Sequence, residues 1–208
     1  TGSLVSIVPH GPLFRLAFAA LIAPSGTYLV EEFSLHYAPS ASTLAFTGRR
    51  QPGATGAALV VADPAVDPAV GGDEPLVRLP GAAREGRRIT EIFGPGRARL
   101  LEGAAAAEPD VRVAASSAHV LHFATHGIIR DDRPFESFLA LAGRATTPAD
   151  DGKLTMGEIY GLRLRADLVV LSVCRSAAGA VTGAGIVGIC SALALREYVE
   201  HPGAVVMM

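Results

Sequence analysis

The chain has 208 residues, half of them hydrophobic, and a formal net charge of −2; this fills one substantial core, and a single domain is expected. Its 18 Lys and Arg residues are scattered rather than clustered, which leaves no electrostatic footprint for nucleic acid or an anionic membrane as a partner. Two cysteines, Cys174 and Cys190, without a CxxC pair, argue against a disulfide framework or a structural zinc site.

Taken in order, residues 4–8 read as a strand, 9–12 as a turn, and 28–37 as an extended, alternating segment leading into a Ser-rich helix start near 40–46. Together they suggest a strand pair with a helix. No basic region precedes an apolar core at the N-terminus, and Pro9, Gly11 and Pro12 interrupt the first apolar run, so no secretory signal is expected. Residues 57–62 form a buried strand ended by Asp63-Pro64, and the Asp/Pro/Gly-rich stretch through Pro80 reads as a surface loop, a mobile connector at most.

Residues 81–93 suggest an amphipathic helix, with Ala83, Arg87 and Thr90 on one side and Ile89, Ile92 and Phe93 on another, stopped by Gly94-Pro95-Gly96. A strand at 97–101 follows. The Ala-rich stretch 104–115 is helical, and because Pro109 fits only a first turn, the helix starts near Glu108 or later. HVLHFATHG at 119–127 is a strand, 128–136 a polar loop, 137–142 a strand and 143–152 an exposed loop. Residues 155–160 form a short helix capped by Thr155, with Glu158 three residues later.

ADLVVLSVC at 166–174 is another strand, followed by a small-residue loop at 177–183, a helix at 185–198 and a last strand at 204–208. The longest apolar stretch, 184–195, is relieved by Gly185, Gly188 and Ser191 and is too short to cross a bilayer. Strands alternating with helices imply an α/β protein with a parallel or mixed sheet and right-handed crossovers. No repeat period is present. Lys153 is the one lysine among the basic residues, a bias that suits a GC-rich bacterial genome, and unpaired cysteines suit a reducing cytoplasm.

His126 and Cys174 stand where two buried strands stop, at the edge where parallel sheets place their sites. The thiol follows the imidazole by 48 positions, the order and nearly the gap of caspases. An imidazole beside a cysteine raises its thiolate fraction or carries its proton during attack, so the pair suits acyl transfer by a cysteine nucleophile. The backbone N–H groups of Gly127 and Cys174 are candidate oxyanion donors. Asp131, Asp132 and Glu136 follow His126 and are candidate substrate contacts, with a solvated charge cluster as the plainer reading. The plainer reading of the pair itself is a buried hydrophobic cysteine and a hydrogen-bonded turn histidine.

Two other patterns compete. His122 and His126 would share a zinc ion only on a helix, and the HExxH glutamate is replaced by Phe123; the flanking residues favour a strand, with His119 and His122 satisfied by hydrogen bonds. Gly183, Gly185 and Gly188 spell GxGxxG, but nine positions separate Cys174 from Gly183, and the tight strand-to-helix turn of a dinucleotide fold is absent. A flexible loop before a closely packed helix explains it, with Cys190 a core residue of that helix.

The strings IVPHGPLFRLAFAAL, YAPSAS, LPGAAREGRRITEIF, VLHFATHG, DGKLTMGEIYGLRLRADLVVLSVC and GIVGICSALA, in order along nearly the whole chain, resemble the CHAT family of caspase-like proteins. VLHFATHG and LVVLSVC are the most specific. The resemblance implies a caspase-like three-layer sandwich, a mostly parallel sheet flanked by helices. It implies cysteine endopeptidase activity on protein or peptide substrates, with His126 as the catalytic histidine and Cys174 as the nucleophile, and no metal or organic cofactor.

Two departures stand out. The family commonly has an acidic residue directly after the cysteine, where this chain has Arg175; a cation there favours thiolate and changes the charge that meets substrate. The family domain also usually continues beyond the strand at 204–208, so the chain is expected to be truncated and to act with regulatory parts, such as helical repeats, in a larger protein. A catalytically inactive interaction module is the alternative reading.

Overall fold

A computed structural model describes residues 3–38, 40–41, 56–72, 75–130, 132–143, 147, 150–175 and 204–207. The chain forms two compact units, Thr1–Arg49 with Ala180–Gly183, and Arg50–Gly179 with Ala184–Met208.

In the first unit, strand β1 (Leu4–Ile7) pairs in parallel with β2 (Ser34–Tyr37), in register from Leu4↔Ser34 to Ile7↔Tyr37. The connection holds two 3-10 turns, Gly11–Arg15 and Phe18–Ala20, and one helical turn, α1 (Leu29–Glu32). The extended reading of 28–37 is thus half right. Glu31 ties back to the Tyr28 N–H at 2.7 Å, and this local cap wins over apolar/polar alternation until Ser34. The helix expected near 40–46 lies almost wholly outside the described residues.

The second unit is built on β3 (Ala58–Pro64), whose seven residues are all buried. Such a run needs cover on both faces, and parallel neighbours provide the setting for it. β3 pairs in parallel with β4 (Ala98–Gly103) and β5 (Val120–Ile128); β5 pairs in parallel with β8 (Leu168–Arg175), and β8 with β9 (Ala204–Met207). β6 (Phe138–Ala140) joins β5 antiparallel at Gly127 and Ile128, beyond the point where β3 stops pairing at Ala124, and β7 (Lys153–Thr155) extends the sheet from β6. The fold is mixed α/β with a mostly parallel central sheet. β7 falls between the segment read as exposed loop, which ends at 152, and the helix read from 155; at three residues it is too short to show an alternation.

Odd-numbered residues of β3, β5 and β8 (Leu59, Val61, Leu121, Phe123, Val169, Leu171) share one apolar core. Helix α3 (Glu108–Ala115) closes it with Val111, Ala114 and Ala115, and α4 (Met156–Gly161) with Met156 and Ile159. Pro109 sits in the first turn of α3 and Thr155 caps α4 in a reciprocal box with Glu158, as the residue order requires.

The even face is covered by α2 (Pro80–Phe93). Small residues allow the approach. A Cβ on Gly86 would stand 2.5 Å from the Cβ of Ala62, and Ala83 and Gly86 are the buried residues of this helix. Ile92, assigned by periodicity to an apolar side, is exposed instead, because helix and sheet meet over the glycine rather than over bulky side chains. Among the described residues no helix is long and apolar enough to cross a membrane.

Candidate active site at the carboxyl ends of β5 and β8

The register of β5 and β8 pairs His126 with Cys174. Partners in a parallel ladder share a face and lie one strand spacing apart, roughly 4.8 Å. The two positions singled out in the sequence are therefore neighbours at the carboxyl end of the sheet, on the even face that α2 covers upstream. Gly127 is in register with Arg175 on one edge and Leu139 on the other. The side chains of Cys174 and Arg175, and all of Asp131, Cys190 and the 183–188 string, lie outside the described residues.

His126 is buried, and its Nε2 lies 2.6 Å from the carbonyl oxygen of Val77. A carbonyl only accepts, so Nε2 carries the proton. In the neutral ring Nδ1 then presents a bare lone pair, and it is buried with no hydrogen-bond partner among the described residues. Leaving such an atom unpaired costs about 1–3 kcal/mol, and an unsatisfied group of this kind calls for a specific explanation, catalysis among them.

The carbonyl that holds His126 belongs to the segment read in sequence as a mobile connector. The segment is a surface loop as read, but the expectation that it is only a mobile connector is corrected, because residues 76–79 are anchored. Leu76 is buried against Ile128, Phe138 and Ala140, and its N–H donates to the Pro68 carbonyl at 3.1 Å. On the other side of Val77, Arg78 donates to both oxygens of Asp63, through Nε at 3.0 and 3.1 Å and Nη2 at 2.6 Å, and the Leu79 N–H donates to Asp63 at 2.7 Å. The Val77 side chain itself is exposed. Only its backbone faces the site, which is why no side-chain pattern pointed to it.

Asp63, next to the last residue of β3, is 3 % exposed and adopts a φ of 42°. Burial alone would raise the pKa of its carboxyl. The hydrogen bonds from Arg78 and the Leu79 N–H, with the positive charge of Arg78, outweigh burial and hold it below its ordinary value.

His122 and His119, the other two histidines of the HVLHFATHG string, are engaged by carboxylates. His122 Nε2 meets Glu85 Oε1 at 2.8 Å while the Ser172 hydroxyl donates to Glu85 Oε2 at 3.2 Å, linking α2 to β5 and β8 beneath the site. His119 Nδ1 meets Asp167 at 2.9 Å. Because β5 is a strand, four residues separate His122 from His126 by about 13 Å, and the shared-zinc geometry of a helix does not arise. Asp132 and Glu136 are exposed and both pair with Arg133, at 3.2 and 2.9 Å, so this acidic loop is partly neutralised by its own cation.

The family model described as CHAT domain matches residues 3–196. No curated protein matches the chain.

Proposed function

The chain belongs to the CHAT family, and on that premise we propose that it is a caspase-like cysteine endopeptidase domain with the three-layer architecture of that class. The observation that carries the reading is His126, its Nε2–H committed to Val77 and its Nδ1 without a hydrogen-bond partner among the described residues, in register with Cys174. Nδ1 is then the atom that receives the thiol proton. The thiolate sulfur attacks the peptide carbonyl carbon, and the backbone N–H groups of Gly127 and Cys174 donate to the resulting oxyanion. Collapse breaks the C–N bond as His126 returns the proton to the leaving amine. His126 next takes a proton from water, whose oxygen attacks the thioester and releases the carboxylic acid and the thiolate.

Substrates are proteins or peptides met by the loop bearing Asp131, Asp132 and Glu136 and by Arg175. We place the domain in the bacterial cytoplasm, within a larger protein whose other parts, such as helical repeats, regulate it; a lysine-poor composition and two cysteines without a CxxC pair support that setting. The chemistry proposed draws on no metal or organic cofactor.

The test is the pH-dependent alkylation rate of Cys174 against Cys190, read by mass spectrometry in the wild type and in His126→Ala. Faster reaction at Cys174, with a profile changed by loss of His126, supports a primed nucleophile and directs a peptide-library search. Slow reaction independent of His126 in folded protein overturns it in favour of a non-catalytic interaction module.

A further inference from the structure

We propose that Asp63 is a positioning residue for His126, fixing the Val77 carbonyl through Arg78 and the Leu79 N–H so that the imidazole is held as one tautomer with Nδ1 free. The proposal deepens the protease reading and rests on it for its catalytic meaning, although its structural content can be tested without any turnover.

Three observations converge on Asp63. First, its carboxylate takes four contacts of 2.6–3.1 Å from the two residues that follow Val77, and a doubly engaged guanidinium fixes direction as well as distance. Those two residues share a short backbone with the carbonyl in question, so a shift of the clamp moves the acceptor of the His126 proton.

Second, Asp63 stands in left-handed backbone conformation at φ 42°, the one described non-glycine residue with positive φ. Side chains other than Asn and Asp rarely adopt this conformation, and such strain persists where the surroundings over-determine it, commonly at functional sites. Asp63 is the residue skipped where the β3–β4 register shifts between Ala62 and Pro64, and its carboxylate meets residues 78–79. Third, His126 is among the groups that lower the pKa of the Asp63 carboxyl, so the clamp lies within electrostatic range of the ring it orients.

The alternative tautomer would place a lone pair on Nε2 against the Val77 oxygen, a repulsive contact. With the carbonyl fixed, that state is excluded. With the carbonyl free to turn away, both tautomers are populated, and a part of the molecules presents Nδ1–H, which cannot take a proton from a thiol.

The experiment is nitrogen-15 NMR of the histidine side chains in the 208-residue chain at a pH where the rings are neutral, with His126→Ala assigning the signal. Asp63→Gly removes the carboxylate while keeping the backbone comfortable at positive φ; Asp63→Asn keeps that backbone preference and one oxygen for the Leu79 N–H. The wild type is expected to show His126 protonated at Nε2 alone, Asp63→Gly a mixture, and Asp63→Asn an intermediate state, with His122, held by Glu85, unchanged in all three. Cys174 alkylation at neutral pH should fall roughly tenfold in Asp63→Gly, within the share a positioned acid–base group supplies.

A wild-type tautomer pattern in folded Asp63→Gly overturns the proposal; if that variant does not fold, an unmoved signal in Asp63→Asn does so. A tautomer that shifts while Cys174 proves unreactive in the wild type upholds the positioning role and rejects the protease reading. A primed Cys174 with an unmoved tautomer gives the converse result.

Discussion

His126 Nε2 and the carbonyl oxygen of Val77 are 2.6 Å apart although 49 positions separate the residues in the chain. The histidine is aligned by a backbone acceptor, so what matters at position 77 is where the main chain runs.

This separates two neighbouring substitutions. Val77→Ala removes an exposed side chain and should leave stability within about 0.5 kcal/mol and Cys174 alkylation unchanged. Leu76→Ala removes a buried side chain packed on Ile128, Phe138 and Ala140, and should cost about 2–5 kcal/mol and slow alkylation as the carbonyl drifts. Urea denaturation and thiol kinetics on both variants check the contrast; equal loss of reactivity in the two would place the determinant in the Val77 side chain.

Two buried carboxylates should give the pH dependence of stability opposite slopes. The Asp63 carboxyl is held below its ordinary value of 3.8, against burial, mainly by Arg78 and the Leu79 N–H. Its contribution is therefore complete above 3.8 and disappears as pH falls through the lower folded-state value. Glu108 is raised above 4.5, by burial first and then by the charge of Glu158, with Arg112 and the Gly152 N–H opposing. The folded state holds this proton longer than the unfolded chain, so stability declines as pH rises from 4.5 through the raised value. Denaturant midpoints across the acid range should show Asp63→Asn converging with the wild type at the lowest pH. Glu108→Gln should gain on the wild type as pH rises through its window.

Gly86→Ala tests how closely α2 is fitted to the sheet. Helix propensity favours alanine by about 1 kcal/mol, yet the added Cβ meets the Ala62 Cβ at 2.5 Å, and relief requires movement of the helix or of β3. Overpacking costs about 1–3 kcal/mol, so the variant should be less stable than the wild type. A higher melting temperature would show that α2 can ride outward freely.

Much of the frame was legible from side-chain chemistry. The apolar runs of β3, β5 and β8 imposed buried parallel strands, Pro109 set the start of α3, and Thr155 with Glu158 marked the cap of α4. His126 and Cys174 were found because each ends such a run, and the observed register makes them partners. Less legible were β7, too short for a periodic signal, and the buried face of α2, where a glycine contact replaced the expected bulky side. Residues 76–79 were misread because Pro75 and Pro80 flank them and the stretch before them is rich in Asp, Pro and Gly.

The sequence by itself determined the strand ends that carry the thiol and the imidazole, since hydrophobic periodicity and helix-cap chemistry are local properties of neighbouring residues. Only the tertiary structure decided how the imidazole is held. The groups that hold it are a main-chain carbonyl, common to every residue and therefore silent in sequence, and a carboxylate whose partners lie 15 and 16 positions away. Such contacts acquire direction only when β3, β5 and the segment before α2 pack together.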